Sequence, residues 1–405
     1  MNHETPATSA ARARLLRSRQ PGAHGKVTNI ELFFDLVFVY AVTQLSHTLR
    51  HRPDAVGALQ VLLLFLAVWW VWVFTSWVTN WLDPERLAVR LVLLALMLAG
   101  LLLSAALPEA FGGRGLLFAG AYVCMQVGRT AFALWAMRGS PANERNFQRI
   151  LSWFVASGVL WIAGGLQQGV PRAACWVAAL ALEYLSPALG FRVPGLGYSR
   201  SSDWDVEGGH LAERCSLFVI IALGESVLAI GSSFATGDWT GLSAATFVID
   251  FVGTAAMWWI YFDLGAERGS RAIRQSSDPG RTARLAYTYM HLLIVAGIIV
   301  CAVADEWVQH EPHERADAAR LAILLGGPAL YLLGNALFKR VVNGRNLPLS
   351  HLAGLGLLAL AGMALRHGSM LQLGMATSAA LLAVAIWEVC SLRSVRRWLQ
   401  AGDGE

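Results

Sequence analysis

The chain has 405 residues, of which 56% are hydrophobic and only 15% charged, with 16 Trp and a formal charge of +5. Soluble globular chains carry roughly 25% charged residues, so this deficit excludes a water-soluble fold, and each loop is too short to bury a core of its own. The few basic residues form no basic, aromatic-laced surface, which excludes nucleic acid as a partner and leaves the lipid bilayer as the medium the chain is written for.

In chain order, residues 1–29 read as a disordered, Arg-rich cytoplasmic tail. The apolar run that follows opens with Glu31 and Asp35. A secretory signal would not place carboxylates there, so no cleavable leader is expected. Apolar runs then fall at about 30–49, 56–79, 87–107, 115–137, 150–170, 172–190, 209–231, 241–264, 283–303, 319–341, 347–366 and 370–391. Each approaches the roughly 17–25 residues that an α-helix needs to cross a bilayer. Their apolarity is continuous rather than alternating, which selects helices over barrel strands. The expected fold class is all-α, a polytopic transmembrane helical bundle of about twelve spans.

Charge placement tests that count. With the N-terminus inside, the inner segments hold 23 Lys and Arg and the outer segments 7, while Arg129 and Arg214 fall within spans. A missed span would scramble this alternation, so the bias supports an even number of spans and two cytoplasmic termini. The organisation reads as a first six-helix half at 30–190, a cytoplasmic linker at 191–208, a second half at 209–391 and a cytoplasmic tail at 392–405. Short matches relate the halves: a carboxylate at the inner end of the first and seventh spans (Glu31, Glu213), and a Trp pair in the second and eighth (Trp69-Trp70, Trp258-Trp259). Parallel six-helix repeats are a known transporter plan.

Ionisable side chains inside spans are costly and are functional candidates for that reason. Glu31 and Asp35 lie four residues apart on one face of the first span, about 6 Å apart along the axis. Such a pair calls for a cation between its members. On the seventh span, His210, Glu213, Arg214 and Glu225 share an arc of about 120°, a polar edge about 22 Å long on an otherwise apolar helix. Arg129 and Glu183 lie at similar depth in the fourth and sixth spans, and Asp250 and His291 in the eighth and ninth. These residues predict a polar vestibule open to the cytoplasm, in which Arg129 and Arg214 neutralise Asp35, Glu31 and Glu213. The bland alternative is that buried Arg–carboxylate pairs merely hold helices in register.

No nucleophile elbow, phosphate loop or dinucleotide fingerprint occurs, and His210-x-x-Glu213 stands alone where a di-metal bundle would need two such motifs. Catalysis, metal and cofactors are therefore not expected. The five cysteines are scattered singly through apolar segments and read as small buried hydrophobes.

Three stretches carry a family resemblance: ELFFDLVFVYAVTQLS at 31–46, HLAERCSLFVIIALGES at 210–226 and WWIYFD at 258–263. Together they resemble the bacterial low temperature requirement A family, and the likeness runs along nearly the whole chain. Membership implies a multi-pass membrane protein of the bacterial inner membrane. It supplies no catalytic residues, because the family name comes from a growth defect in the cold. The functional expectation is a secondary transporter or permease for a small solute or ion. A channel-like conductor and a non-transport scaffold or sensor are the alternatives.

Overall fold

A computed structural model describes residues 15–17, 26–200, 204, 206–263, 276, 278–344 and 346–402, with the side chains of 392–402 left aside. Among these residues the chain forms twelve long helices: α1 (Asn29–His51), α2 (Ala55–Trp81), α3 (Leu87–Ala106), α4 (Gly115–Ala136), α5 (Pro141–Gly165), α6 (Gly169–Leu185), α7 (Gly208–Thr236), α8 (Gly241–Phe262), α9 (Pro279–His310), α10 (Ala318–Asn343), α11 (Leu349–Ala364) and α12 (Met370–Gly402). Ten are long and apolar enough to cross a membrane, whereas α6 and α11, with 17 and 16 residues, are shorter.

The helix starts follow local sequence. Pro141 occupies the first turn of α5, where its missing N–H costs nothing. It opens that helix nine residues before the apolar run predicted from 150. Thr240 and Ser243 close a reciprocal capping box on α8, Asp317 caps α10, and Gly344 ends α10 at φ +60°.

Two compact units emerge, divided inside α7 between Arg214 and Cys215. The expected boundary was the 191–208 linker. Its described residues belong instead to the first unit, because Phe191, buried at φ 49°, stacks on Trp204 with ring centroids 5.9 Å apart and packs edge-on against Phe74.

In the first unit α3, α4, α5 and α6 pack in sequence. Arg172, near the start of α6, turns inward and donates to the carbonyls of Gln167, Ala110 and Gly112 at 2.9, 2.8 and 2.7 Å. One buried guanidinium therefore ties the α5–α6 turn to the α3–α4 turn and satisfies carbonyls that a helix end would leave unpaired. The expected featureless tail over 1–29 does not hold at residues 15–17. Leu15 O accepts from Asp83 N at 2.8 Å, and Arg17 N donates to Trp81 O at 2.9 Å, so a short strap crosses the end of α2. The rest of that segment before Lys26 lies outside the described residues.

In the second unit α9 and α10 approach closely through glycines. A Cβ on Gly297 would stand 2.5 Å from the Tyr331 nitrogen, and one on Gly334 would stand 2.8 Å from the Ile294 nitrogen. Small residues permit backbone contact where lipid offers no hydrophobic drive for association. Residues Arg284–Met290 form a π-helical stretch within α9. The Trp pair at 69–70 is buried in the first unit, whereas Trp258 and Trp259 of the second are about half exposed, so this sequence match does not carry a matching environment.

Candidate functional site

The first unit gathers the acidic face of α1 against the start of α7. Thr28-x-x-Glu31 makes the carboxylate half of a capping box: Glu31 Oε2 accepts from the Thr28 N–H and hydroxyl, both at 2.9 Å. The same oxygen accepts from Arg17 Nη2 of the strap at 2.8 Å, and Oε1 meets His210 Nε2 at 2.8 Å. One turn on, Asp35 Oδ1 accepts from Arg214 Nη2 at 2.7 Å and from Trp72 Nε1 at 2.8 Å. Arg214 Nη1 also stands 3.3 Å from Glu31 Oε1. The guanidinium thus sits between the two carboxylates, as their spacing demands. Glu31, Asp35 and Arg214 are all 0% exposed.

The hydrogen bonds fix the His210 tautomer. Asn80 Oδ1 accepts from the Glu207 N–H at 3.0 Å and its Nδ2 donates to the Glu207 carbonyl at 2.8 Å, which sets the amide's orientation. Nδ2 therefore also faces His210 Nδ1, at 3.3 Å, as a donor. Nδ1 then accepts and the ring carries its proton on Nε2, whose shortest contact is the Glu31 carboxylate at 2.8 Å, with the Arg17 Nη2 donor farther off at 3.2 Å. Three buried atoms of the cluster have no hydrogen-bond partner: Asp35 Oδ2, Arg214 Nε and Arg214 Nη1. One acceptor and two donors without a hydrogen bond, Nη1 among them holding only its ion-pair contact with Glu31, thus sit buried together, and such atoms call for an explanation in a native structure.

The other predicted residues are distributed differently. Glu213 is exposed and accepts from the Val27 N–H at 3.1 Å, and among the described residues no arginine pairs with it. At 100° per residue it marks the edge of the polar arc, while His210 and Arg214 lie nearer its centre. Arg129 joins neither carboxylate of α1. Its Nη1 donates to Val71 O at 3.1 Å and Thr75 Oγ1 at 3.0 Å, its Nη2 donates to Gln126, and the group lies over the rings of Phe74 and Phe154. The expected pairing of Arg129 with α1 fails because Gln126, Thr75 and the Val71 carbonyl take its donors.

Glu183 is buried and saturated by Ser157 Oγ at 2.7 Å, Trp161 Nε1 at 3.0 Å, Gln126 Nε2 at 3.3 Å and the Tyr122 hydroxyl. An open groove of about 740 Å³ between α2 and α6, lined by residues such as Leu59, Leu62, Val177 and Ala181, holds none of these charges.

Glu225, Asp250 and His291 lie in the second unit and are buried. Asp250 accepts from Gln309 at 3.1 Å. His291 Nδ1 donates to Ala286 O at 2.8 Å, five residues back across the π-helical stretch, which leaves Nε2 to accept from Tyr261 at 2.8 Å.

Sequence reasoning missed Arg17, Trp72 and Asn80. Arg17 sits in a tail with no periodicity, and Trp and Asn on a buried helix face carry no charge signal. It also missed Lys339 and Glu388, which form a buried ion pair at 2.6 Å in the second unit. Glu388 could have been found as a carboxylate inside the last apolar run.

The profile of the family described as bacterial low temperature requirement A protein (LtrA) matches residues 26–386. The chain belongs to this family. An uncharacterized protein of Rhizobium meliloti (strain 1021) is 42% identical over 368 residues, covering 91% of this chain and 90% of that protein. No solved structure matches. The LtrA match begins at Lys26, so the α1 carboxylates and the α7 His–Arg pair fall within it and the strap at 15–17 falls before it.

Proposed function

We propose that this LtrA protein is a secondary transporter of the bacterial inner membrane, with both termini cytoplasmic, whose solute- or ion-binding site is the Glu31–Asp35–His210–Arg214 cluster. The observation that carries this reading is the trio of open atoms at its centre. A purely structural ion pair would be expected to saturate its buried donors and acceptors, since each one left unsatisfied costs about 1–3 kcal/mol. Here Asp35 Oδ2 and Arg214 Nε have no partner, and Arg214 Nη1 meets Glu31 Oε1 only as an ion pair at 3.3 Å without a hydrogen bond, all of them enclosed away from water. A small polar solute or ion offering both a donor or positive charge and an acceptor would complete them. Arg17 closes the cluster from the strap, and a closed, ion-paired state of this kind fits an occluded step of alternating access. The role is one of binding and passage, with no catalytic chemistry assigned to these side chains.

The closure also favours a second reading. A scaffold or sensor would use the same ion pairs to hold α1, α2 and α7 in register, and full burial of every charge suits that role. Reconstituted uptake separates the two. A screen of small cations, anions and zwitterions in proteoliposomes should find a solute whose uptake responds to a pH gradient and is lost in Asp35→Asn. Uptake that ignores both the gradient and Asp35→Asn would refute the transport site.

A further inference from the structure

The second unit holds a buried charge cluster that the transport reading does not use. Lys339 of α10 donates from Nζ to Glu388 Oε2 of α12 at 2.6 Å, and to the Ile260 carbonyl of α8 at 3.4 Å. Ser350 of α11 donates to Glu388 Oε1 at 3.3 Å. With its single hydrogen so engaged, the Ser350 oxygen can only accept from His351 Nδ1, 3.1 Å away. The imidazole then carries its proton on Nδ1. Its Nε2 is a bare lone pair, buried and without a hydrogen-bond partner, on a residue 0% exposed.

The first unit has a buried carboxylate of a different kind. There Glu183 accepts from Ser157, Trp161, Gln126 and Tyr122, and Arg129 bonds Gln126 rather than the carboxylate, whereas here Lys339 is bonded directly to Glu388. Arginine is permanently charged and locks its partners in a planar fork. Lysine is a single point charge on a flexible stem, able to withdraw toward the headgroups. Lys339 lies four residues before the end of α10, within reach of that interface.

We propose that Glu388 is a proton-binding site for which a proton and the Lys339 ammonium compete. A proton bound to the carboxylate releases Lys339 toward the membrane surface; its departure readmits the ammonium and restores the ion pair. Other groups face the site. Tyr331, on the same helix as Lys339, lies within electrostatic reach of Glu388 and donates to the Met257 carbonyl. Tyr261 of α8 donates to His291 of α9, so that imidazole is already engaged. His351 faces the carboxylate through Nδ1, 3.4 Å from Glu388 Oε1.

The test is infrared spectroscopy of the purified full-length protein in lipid, following the carbonyl stretch of protonated carboxylic acids as the buffer is acidified. The wild type should develop a band that is absent in Glu388→Gln. At one fixed, mildly acidic pH the band should be stronger in Lys339→Gln, where the competitor is gone, and weaker in Lys339→Arg, where the fork holds the carboxylate ionised. If Glu388→Gln does not fold, the charge-free double variant Lys339→Gln/Glu388→Gln supplies the blank. A band unchanged in the blank, or the same in both Lys339 variants as in wild type, overturns the proposal. No transported solute enters this measurement, so a failed uptake assay leaves it standing, and a flat titration leaves the first unit's site untouched.

Discussion

Replacing Arg214 by methionine probes the core of the first unit. The substitution keeps length and apolar volume while removing the cation between two carboxylates that are each 0% exposed. The losses are unequal. Glu31 retains Arg17, Thr28 and His210, whereas among the described residues Asp35 retains only Trp72 Nε1, at 2.8 Å. Stranding one buried charge costs about 3–5 kcal/mol, while removing a whole pair can be close to neutral. Arg214→Met should therefore lower stability by about 3 kcal/mol or more, a fall of about two orders of magnitude in the folded-to-unfolded ratio. Arg214→Met/Asp35→Leu should recover most of that loss and leave about 1 kcal/mol for the weakened Glu31 contact. Reversible unfolding in mixed detergent–lipid micelles reads both variants against wild type. A double variant no more stable than Arg214→Met would refute the claim that Asp35 is the carboxylate this arginine sustains.

Four further outcomes are expected. Gly297→Ala should cost about 1–3 kcal/mol by forcing α9 from α10, while Gly356→Ala, whose Cβ would meet nothing within 4 Å, should change the same unfolding curve by less than about 0.5 kcal/mol; equal effects would contradict the packing described. Glu183→Leu should strand the donors of Tyr122, Gln126, Ser157 and Trp161, at about 1–3 kcal/mol for each one left unsatisfied, and so reduce folded protein in the membrane far more than Glu213→Leu does. Arg17→Ala should cost about 1–3 kcal/mol, because Glu31 keeps Thr28, His210 and Arg214 when that contact is lost, and it should raise amide hydrogen exchange over residues 27–35; unchanged exchange would remove the strap from the site. For topology, a cysteine placed at His313 should react with an impermeant thiol reagent added outside intact cells, and one placed at Asn143 should not, in a background lacking Cys124, Cys175 and Cys390; the reverse pattern would invert the proposed orientation.

Much of the fold was legible because the bilayer imposes a length and a composition on each crossing segment. All twelve helices stand where the apolar runs placed them, with the largest differences at α5 and α12. Pro141 starts α5 early, and α12 continues to Gly402, past the apolar run that ends near 391. Of the site, the Glu31–Asp35 spacing and the polar edge of α7 were visible, since charge on an apolar helix is a local signal.

The sequence by itself determined that the chain is a helical membrane protein of the LtrA family and that α1 and α7 carry its conspicuous charges. Tertiary structure alone decided which charges meet. Arg214 rather than Arg129 neutralises the α1 carboxylates, because the donors of Arg129 are taken up by Gln126, Thr75 and the Val71 carbonyl. Burial separated His210 from Glu213, three residues apart, and drew in Arg17 from a stretch with no pattern of its own. Helical period states which residues share a face; the neighbour that the face meets is a property of packing.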